Sequence, residues 1–306
     1  ADEVTVELTA GKAYRLTAEY FDDGGERSAK LAWRMPELDR RYFRDLYGEA
    51  GEAVRSCDVT VAVVGINKSI EREGQDRTTI ELPQDQQVFI QEVYKANPNT
   101  VVVLVAGSSL ALHWENAHIP ALLNAWYPGE QGGTAVAEAL FGDYNPGGRL
   151  PLTYYNALEE LPPFDDYDIR KGRTYQYFKG NPLYPFGYGL SYTDFAYQKL
   201  NVRTEADTLW VDFTLANAGK RDGDEVAQVY IQFPQTEEQM PVKQLKGFRR
   251  VTVMKGKKVK VSIPICKQDL RIWDEQQEKF VTPSGKYNIL VGASSADIRL
   301  QEVVEL

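Results

Sequence analysis

Two carboxylates stand two residues apart in a short, strongly charged segment. Residues 69–77, SIEREGQDR, carry five charged side chains in nine positions, among them Glu71 and Glu73. The segment follows the apolar run DVTVAVVGIN and precedes a helix entry at Pro83. Neighbouring carboxyl groups can perform acid and base chemistry when their surroundings set their pKa values apart. A solvated loop without a function is the alternative interpretation of the same residues.

The elements around this segment indicate where it lies. Three apolar runs have the length and composition of buried strands, and they are DVTVAVVG, TVVVLVAG and IPALLNAWYPG. Helical patterns alternate with them, chiefly LPQDQQVFIQEVYKANP and EQGGTAVAEALFG. This order predicts a mainly parallel sheet with helices on its faces. Ligands bind at the carboxyl ends of such strands, so the loops beginning GINKSIERE, GSSLALHW and WYPGEQGG are expected to meet at one cleft.

The flanking regions have a different character. Residues 1–38 alternate polar and apolar side chains, as in EVTVELTAG and KAYRLTAEYF, and are predicted to be the closing strands of a β-sandwich. Residues 161–194 are rich in Pro, Gly and Tyr and are predicted to form an ordered linker. Residues 195–306 contain regularly spaced short strands, which predict an immunoglobulin-like sandwich. The expected fold class is therefore α/β followed by all-β.

Composition excludes several functions. A formal net charge of −9 argues against nucleic acid and against an anionic membrane surface as partners. Two histidines in 306 residues argue against a His-rich metal site. Apolar runs are too short to span a bilayer, and no signal peptide opens the chain, although a mature secreted or periplasmic protein would also lack one. Cys57 and Cys266 are predicted to be buried free thiols.

Three segments together resemble glycoside hydrolase family 3, the exo-acting β-glucosidases and β-xylosidases. They are EREGQDRTTIELPQDQQ, AWYPGEQGGTAVAEALFGDYNPGGRLPLTY and GRTYQYFKGNPLYPFGYGLSYTDF, and they occur in the family's order. The resemblance implies an α/β-sandwich domain at residues 39–160 and a fibronectin type III-like domain at 195–306. Residues 1–38 are similar to the end of a carbohydrate-binding sandwich that some members insert.

This resemblance implies a retaining exo-β-glycosidase that releases terminal xylose or glucose from β-linked oligosaccharides or aryl glycosides, with no metal or organic cofactor. The family's nucleophile is an Asp on an amino-terminal (β/α)8 barrel, and this chain contains no such barrel. The chain is therefore expected to be the carboxyl-terminal portion of a larger enzyme. It is also expected to be inactive without the barrel.

The charged segment matches the family position of the general acid/base. Glu73, directly before Gly74, is the first candidate for that role, and Glu71 is the second. An arginine between the two, Arg72, could hold one carboxylate ionised, and an Asp76–Arg77 pair could brace the loop. The residues expected to contact the sugar are Arg72, Asp76, His113, Trp114 and Trp126.

Two alternatives from other classes stay open on the sequence. The chain could be a non-catalytic carbohydrate-binding or scaffolding module, in which the carboxylates are only solvated. It could also be a nucleotide-binding α/β domain, although the glycine spacing of YPGEQGG matches neither common phosphate-binding motif.

Other residues in the second half of the chain are predicted to be structural. Arg149 is expected to enter a strand and to serve as an ion-pair partner. The tyrosines of the linker are expected to join the two domains, and they are Tyr175, Tyr177, Tyr184, Tyr188 and Tyr192.

Overall fold

The computed structural model describes residues 9, 12, 15, 48–234 and 239–306. The chain divides into two compact units, Ala1–Leu46 and Tyr47–Leu306. The strands predicted in the first 38 residues lie outside the described residues, so the proposed domain boundaries stay predictions. Everything below concerns the second unit.

A parallel sheet with flanking helices forms the first half of this unit. Its elements are α1 (Gly48–Ser56), β1 (Thr60–Gly65), α2 (Gln84–Ala96), β2 (Thr100–Val105), α3 (His113–His118), β3 (Ala121–Asn124) and α4 (Gly132–Phe141). The strand order is β1-β2-β3, and both pairings are parallel. This confirms the predicted α/β arrangement. The short helix α3 was not predicted, because its first two residues fall in GSSLALHW, which was interpreted as a loop, and the other four were assigned to no element.

One face of this sheet packs against α2. Ala62 and Val64 of β1, together with Val102 and Leu104 of β2, share a core cluster with the fully buried Ile90 of α2. The helix begins directly after Pro83, as predicted. Its apolar stripe therefore fixes the sheet from one side.

β1 ends at a glycine because the neighbouring strand leaves no room for a side chain. Gly65 has a φ of 153°, and a Cβ atom there would lie 1.8 Å from the carbonyl oxygen of Val105. The chain can then turn sharply into the charged segment.

The linker is ordered but has little regular structure. It contains two short 3₁₀ helices, Leu158–Glu160 and Ile169–Lys171, and a single helical turn, α5 (Thr174–Tyr177). The strand expected after Arg149 is absent from the described residues, where only an isolated bridge between Tyr154 and Tyr184 forms.

A two-sheet sandwich forms the last part of the chain. Its strands are β4 (Phe195–Glu205), β5 (Thr208–Asn217), β6 (Gly223–Gln232), β7 (Gln244–Val253), β8 (Lys258–Cys266), β9 (Ile272–Asp274), β10 (Lys279–Val281), β11 (Lys286–Gly292) and β12 (Ile298–Glu305), with a 3₁₀ helix at Lys267–Leu270. The sheets have the orders β12-β11-β6-β7 and β4-β5-β8, and β9 and β10 form a separate hairpin. Side chains from both large sheets fill a common core. The predicted sandwich is confirmed.

Tyrosine contacts join the linker to its neighbours, as predicted for Tyr175 and Tyr192. Tyr175 stacks on Phe186 with ring centroids 4.2 Å apart and meets the edge of Tyr230 on β6. Tyr192 donates a 2.7 Å hydrogen bond to the carbonyl of Ala139 in α4. The linker therefore contacts both the α/β part and the sandwich.

A buried ion pair also crosses this junction. Arg149 Nη2 donates to Glu225 Oε1 of β6 at 2.8 Å, and the two side chains are only 7% and 4% exposed. This confirms the structural role predicted for Arg149.

The cysteines were only partly predicted. Cys57 and Cys266 are free, as expected, but both are exposed rather than buried. Cys57 follows the end of α1, and Cys266 ends β8 on its outward-facing side. Proximity to an apolar segment did not reveal which way either side chain points.

In the described parts of the chain, no helix combines the length and apolarity that crossing a membrane would need.

Removing one partner of the Arg149–Glu225 pair should be costly. In Glu225→Gln the buried guanidinium loses its counter-charge, which we expect to lower the free energy of unfolding by about 3–5 kcal/mol. Urea unfolding measures the loss. The double variant Arg149→Met/Glu225→Leu should recover part of it, because no buried charge remains. Asp168→Asn, which breaks the exposed Arg170–Asp168 pair, is the control and should change little. Equal losses in the single and double variants would contradict this account.

Candidate active site

The charged segment folds into a tight turn with Glu73 at its tip. The amides of Ile70 and Glu71 donate to the carbonyl of Asn67 at 2.9 and 3.0 Å. The chain then reverses where the amide of Gln75 donates to the carbonyl of Arg72 at 3.0 Å. Gly74 supplies the positive φ of 73° within this turn. Glu73 is consequently exposed at the point of the loop.

Glu71 is bound from several sides, and we call this set of contacts the Glu71 clamp. The hydroxyl of Ser108 donates to Oε2, and the hydroxyl of Tyr127 donates to Oε1 at 2.7 Å. The amide of Gly107 donates to Oε1 at 3.2 Å, and Arg77 Nε lies 3.6 Å from Oε2. Both carboxylate oxygens are therefore occupied.

Arg77 extends the Glu71 clamp to the backbone of the second loop. Its Nη2 donates to Ser108 Oγ at 2.9 Å and to the carbonyl of Ser109 at 3.1 Å. The side chain is only 14% exposed. One guanidinium thus holds the end of the charged segment against the loop that follows β2.

Gly107 allows this close approach. A Cβ atom at this position would lie 2.5 Å from the ring of Tyr127 and 3.1 Å from Glu71 Oε1. Any side chain there would push the tyrosine or the carboxylate out of place.

The surroundings of Glu71 favour its ionised form. Burial by itself raises the pKa of this carboxyl group. Hydrogen bonds from Ser108 and Tyr127, the charge of Arg77 and the amide of Gly107 outweigh burial and bring the pKa below its usual value of 4.5. The same carboxylate, after burial, contributes to a raised pKa of the Tyr127 hydroxyl.

The Glu71 clamp joins the carboxyl ends of all three parallel strands. Glu71 and Arg77 belong to the loop after β1, Ser108 to the loop after β2, and Tyr127 to the loop after β3. The expected convergence of these loops is confirmed.

Two details of the predicted loop chemistry are wrong. Arg72 is exposed and does not bind Glu71, since the arginine that does so is Arg77. Arg77 in turn is braced by Glu71 and Ser108 rather than by Asp76, which is exposed. The prediction paired residues that are adjacent in the sequence. The turn, however, directs the side chains of Arg72 and Asp76 into solvent.

The structure places the other expected sugar contacts in two groups. Arg72 and Asp76 lie on the exposed turn beside Glu73, and the half-buried Trp126 directly precedes Tyr127 of the Glu71 clamp. Trp126 has a φ of 55°, a conformation that a non-glycine residue adopts only when its surroundings impose it.

His113 and Trp114 lie on α3 and have other contacts. Trp114 stacks on His118 with centroids 4.4 Å apart and packs against the core beneath the sheet. His113 Nε2 lies 2.6 Å from the carbonyl oxygen of Asn156. In the described part of the chain, none of these contacts reaches the Glu71 clamp.

Three residues of the Glu71 clamp were not singled out from the sequence. Gly107 and Ser108 lie in GSSLALHW and Tyr127 in WYPGEQGG, so their loops were identified but the residues were not. The sequence did contain a signal for these three residues. A glycine, a serine hydroxyl and a tyrosine phenol each lie at or near the end of a predicted buried strand.

A separate cavity of about 260 Å³ lies at the junction of linker and sandwich, lined by Arg149, Tyr197, Glu225 and Arg299 among others. None of the three strand-end loops contributes to its wall, so it is not part of this site.

Family models and relatives agree on the class of protein. Residues 7–192 match the glycosyl hydrolase family 3 C-terminal domain, and residues 225–295 match a fibronectin type III-like domain. A xylan 1,4-beta-xylosidase of Xylanibacter ruminicola is 39% identical over 269 residues, which cover 84% of this chain and 31% of that protein. A periplasmic beta-glucosidase of Salmonella typhimurium is 36% identical, covering 86% of this chain and 36% of that protein.

A solved structure shows the same fold. The beta-glucosidase of Kluyveromyces marxianus, in complex with glucose, superimposes with a TM-score of 0.80 at 31% identity. The superposition covers 90% of this chain and 34% of that one. These proteins are carbohydrate-cleaving hydrolases. The chain belongs to glycoside hydrolase family 3, and it spans about a third of the length of the relatives described here.

The charge of Glu71 should contribute to stability in a pH-dependent way. Folding lowers its pKa, so the stabilisation is complete above the usual value of 4.5 and is lost as the pH falls through the lower folded-state value. Glu71→Gln should therefore lower the free energy of unfolding by about 1–3 kcal/mol near pH 7. The loss should be much smaller at a pH below the folded-state pKa of Glu71, where the carboxyl group is already protonated. Urea unfolding from pH 3 to 7 measures this difference. Glu73→Gln, at an exposed position, is the control. A difference independent of pH would show that the charge of Glu71 is not involved.

Proposed function

We propose that the chain is the part of a retaining exo-β-glycosidase that supplies the general acid/base, Glu73. The observation that carries this proposal is the position of Glu73. It is exposed on a tight turn at the carboxyl end of a parallel sheet, next to a carboxylate that holds the turn in place. A group that must exchange protons with a bound sugar needs both freedom of access and a fixed position.

The two glutamates are suited to different tasks. Glu71 has both oxygens bound and a lowered pKa, so it stays ionised and has no proton to give. In the described part of the chain, the Glu73 carboxylate has no hydrogen bond or ion pair, and a substrate oxygen can reach it. We therefore assign Glu73 as the acid/base and Glu71 as the residue that positions its turn.

The proposed reaction has two steps. In the first, a nucleophilic carboxylate attacks the anomeric carbon while Glu73 donates its proton to the glycosidic oxygen, and the alcohol leaves. In the second, Glu73 accepts a proton from water, whose oxygen displaces the nucleophile and releases the sugar with its configuration retained. The two carboxyl groups must approach to about 5–5.5 Å in such enzymes.

The nucleophile is proposed to come from outside this chain. Its relatives are about three times longer, and the family resemblance assigns that residue to an amino-terminal barrel. The substrate is proposed to be a β-linked oligosaccharide or aryl glycoside with a terminal xylose or glucose. The names of the relatives support both sugars. Arg72 and Asp76, on the turn that carries Glu73, and Trp126, directly before Tyr127 of the Glu71 clamp, are the proposed sugar contacts.

This chain by itself should not hydrolyse nitrophenyl β-xyloside or β-glucoside, because the nucleophile is proposed to lie outside it. A discontinuous assay of released nitrophenol at high protein concentration tests this. Turnover that is lost in Glu73→Ala would confirm the acid/base but would require a nucleophile within these 306 residues.

Glu73 can be tested in a joined enzyme, made by fusing the part of the Xylanibacter ruminicola xylosidase outside the match to this chain. Glu73→Ala should lower kcat/KM on phenyl or disaccharide substrates by about 10²–10⁴-fold. With dinitrophenyl glycosides, whose leaving group needs no proton, Glu73→Ala should lower the rate of the first step much less. Azide should restore turnover by entering the space left by the carboxylate.

Glu71→Ala is the matched comparison for the joined enzyme. It should lower activity on both classes of leaving group, without rescue by azide, because it displaces the turn. Azide rescue of Glu71→Ala, with Glu73→Ala unaffected on phenyl glycosides, would reverse the assignment.

A further inference from the structure

One face of the parallel sheet is open at β1. Val61 and Val63 alternate along this strand, Val59 directly precedes it, and the three are 45%, 61% and 50% exposed. Ala62 and Val64, which alternate with the valines of the strand, point the other way, into the core shared with α2. The outward side of β1 and the residue before it therefore present three aliphatic side chains to solvent.

On this face of the sheet, β2 is buried but β1 is exposed. Val63 pairs in register with Val103, so the two side chains share a face of the parallel pair. Val103 is 1% exposed and Val63 is 61% exposed. β1 is also the edge strand of the sheet in the described residues. Strands of parallel sheets are normally covered on both faces, so β1 lacks part of its layer.

The edge strand β12 shows what a solvated face looks like in this protein. Its exposed positions are Arg299, Gln301, Val303 and Glu305, of which only one is apolar. The exposed positions of β1, Val61 and Val63, are both valine, as is Val59 just before the strand. The composition of β1 is that of a surface buried against a partner.

We propose that Val59, Val61 and Val63 form the docking surface for the amino-terminal portion of the complete enzyme, which contributes an apolar face of its own. The proposal rests on the function proposed above. Relatives contain about two-thirds of their length outside the matched region, which leaves ample chain to complete the layer. β1 also leads into the loop that carries Glu73.

The position at Val63 can be labelled to test the surface. A Val63→Cys variant, in a background with Cys57→Ser and Cys266→Ser, should react rapidly with a maleimide in the isolated chain. In the joined enzyme it should react at least about tenfold more slowly, because docking covers the position. Val303→Cys, at a valine 57% exposed on β12, is the matched control and should react rapidly in both proteins.

A second variant tests the same surface by stability. Val63→Glu should leave the melting temperature of the isolated chain nearly unchanged, because the position is exposed there. In the joined enzyme it should lower the melting temperature by several degrees, because the charge is forced into an apolar contact. Val303→Glu should be neutral in both.

The outcomes separate this proposal from the proposed function. Equal labelling of Val63→Cys in both proteins, or no effect of Val63→Glu in the joined enzyme, overturns the docking surface even if Glu73 is essential. A wild-type isolated chain that sediments as a dimer, and as a monomer with Val63→Glu, overturns it in favour of a second copy. Protection at position 63 with full activity of Glu73→Ala would instead keep the surface and reject the acid/base.

Discussion

The site depends on one partly buried carboxylate and the donors around it. The Glu71 clamp draws on loops that follow three different strands. Loops are the most mobile parts of a fold unless specific contacts hold them. A charge-assisted network with several donors supplies such contacts, and it requires Gly107 to have no side chain.

The same network explains how two glutamates two residues apart can have different roles. Glu71 lies beneath the turn, where its charge is compensated, and Glu73 lies on top of it. Differences in environment of this kind are how proteins separate a fixed anion from a proton donor. The division follows from the turn at residues 72–75, which begins directly after Glu71 and leaves Glu73 exposed at its tip.

The sequence predicted the features that depend on long patterns. Continuous apolar runs gave the parallel sheet, regular alternation gave the sandwich, and strand ends gave the edge where the loops converge. The partner of Arg77 was not predictable, because Asp76 is adjacent in the chain but points away, whereas Glu71 is brought close by the turn. Tyr127 was missed for a similar reason, since its contact spans 56 positions. The exposure of Cys57 and Cys266 likewise depends on side-chain direction, which no pattern records.

The open surface of β1 and the unpaired Glu73 describe the same property of the chain. Under the two proposals each is completed by contact with something else, the valines by an apolar layer and Glu73 by a sugar and a second carboxylate. Both belong to a single segment, β1 and its loop. The proposed arrangement links assembly of the enzyme to placement of its acid/base.

A crystal structure of the joined enzyme with a bound, non-hydrolysable thioglycoside would test the central claim most directly. The account predicts a Glu73 oxygen next to the glycosidic sulfur, slightly farther away than the about 2.6–3.2 Å expected for a glycosidic oxygen. Glu71 should still be bound to Ser108 and Tyr127. A structure in which Glu71 has left those partners and points at the glycosidic atom, with Glu73 in solvent, would contradict it.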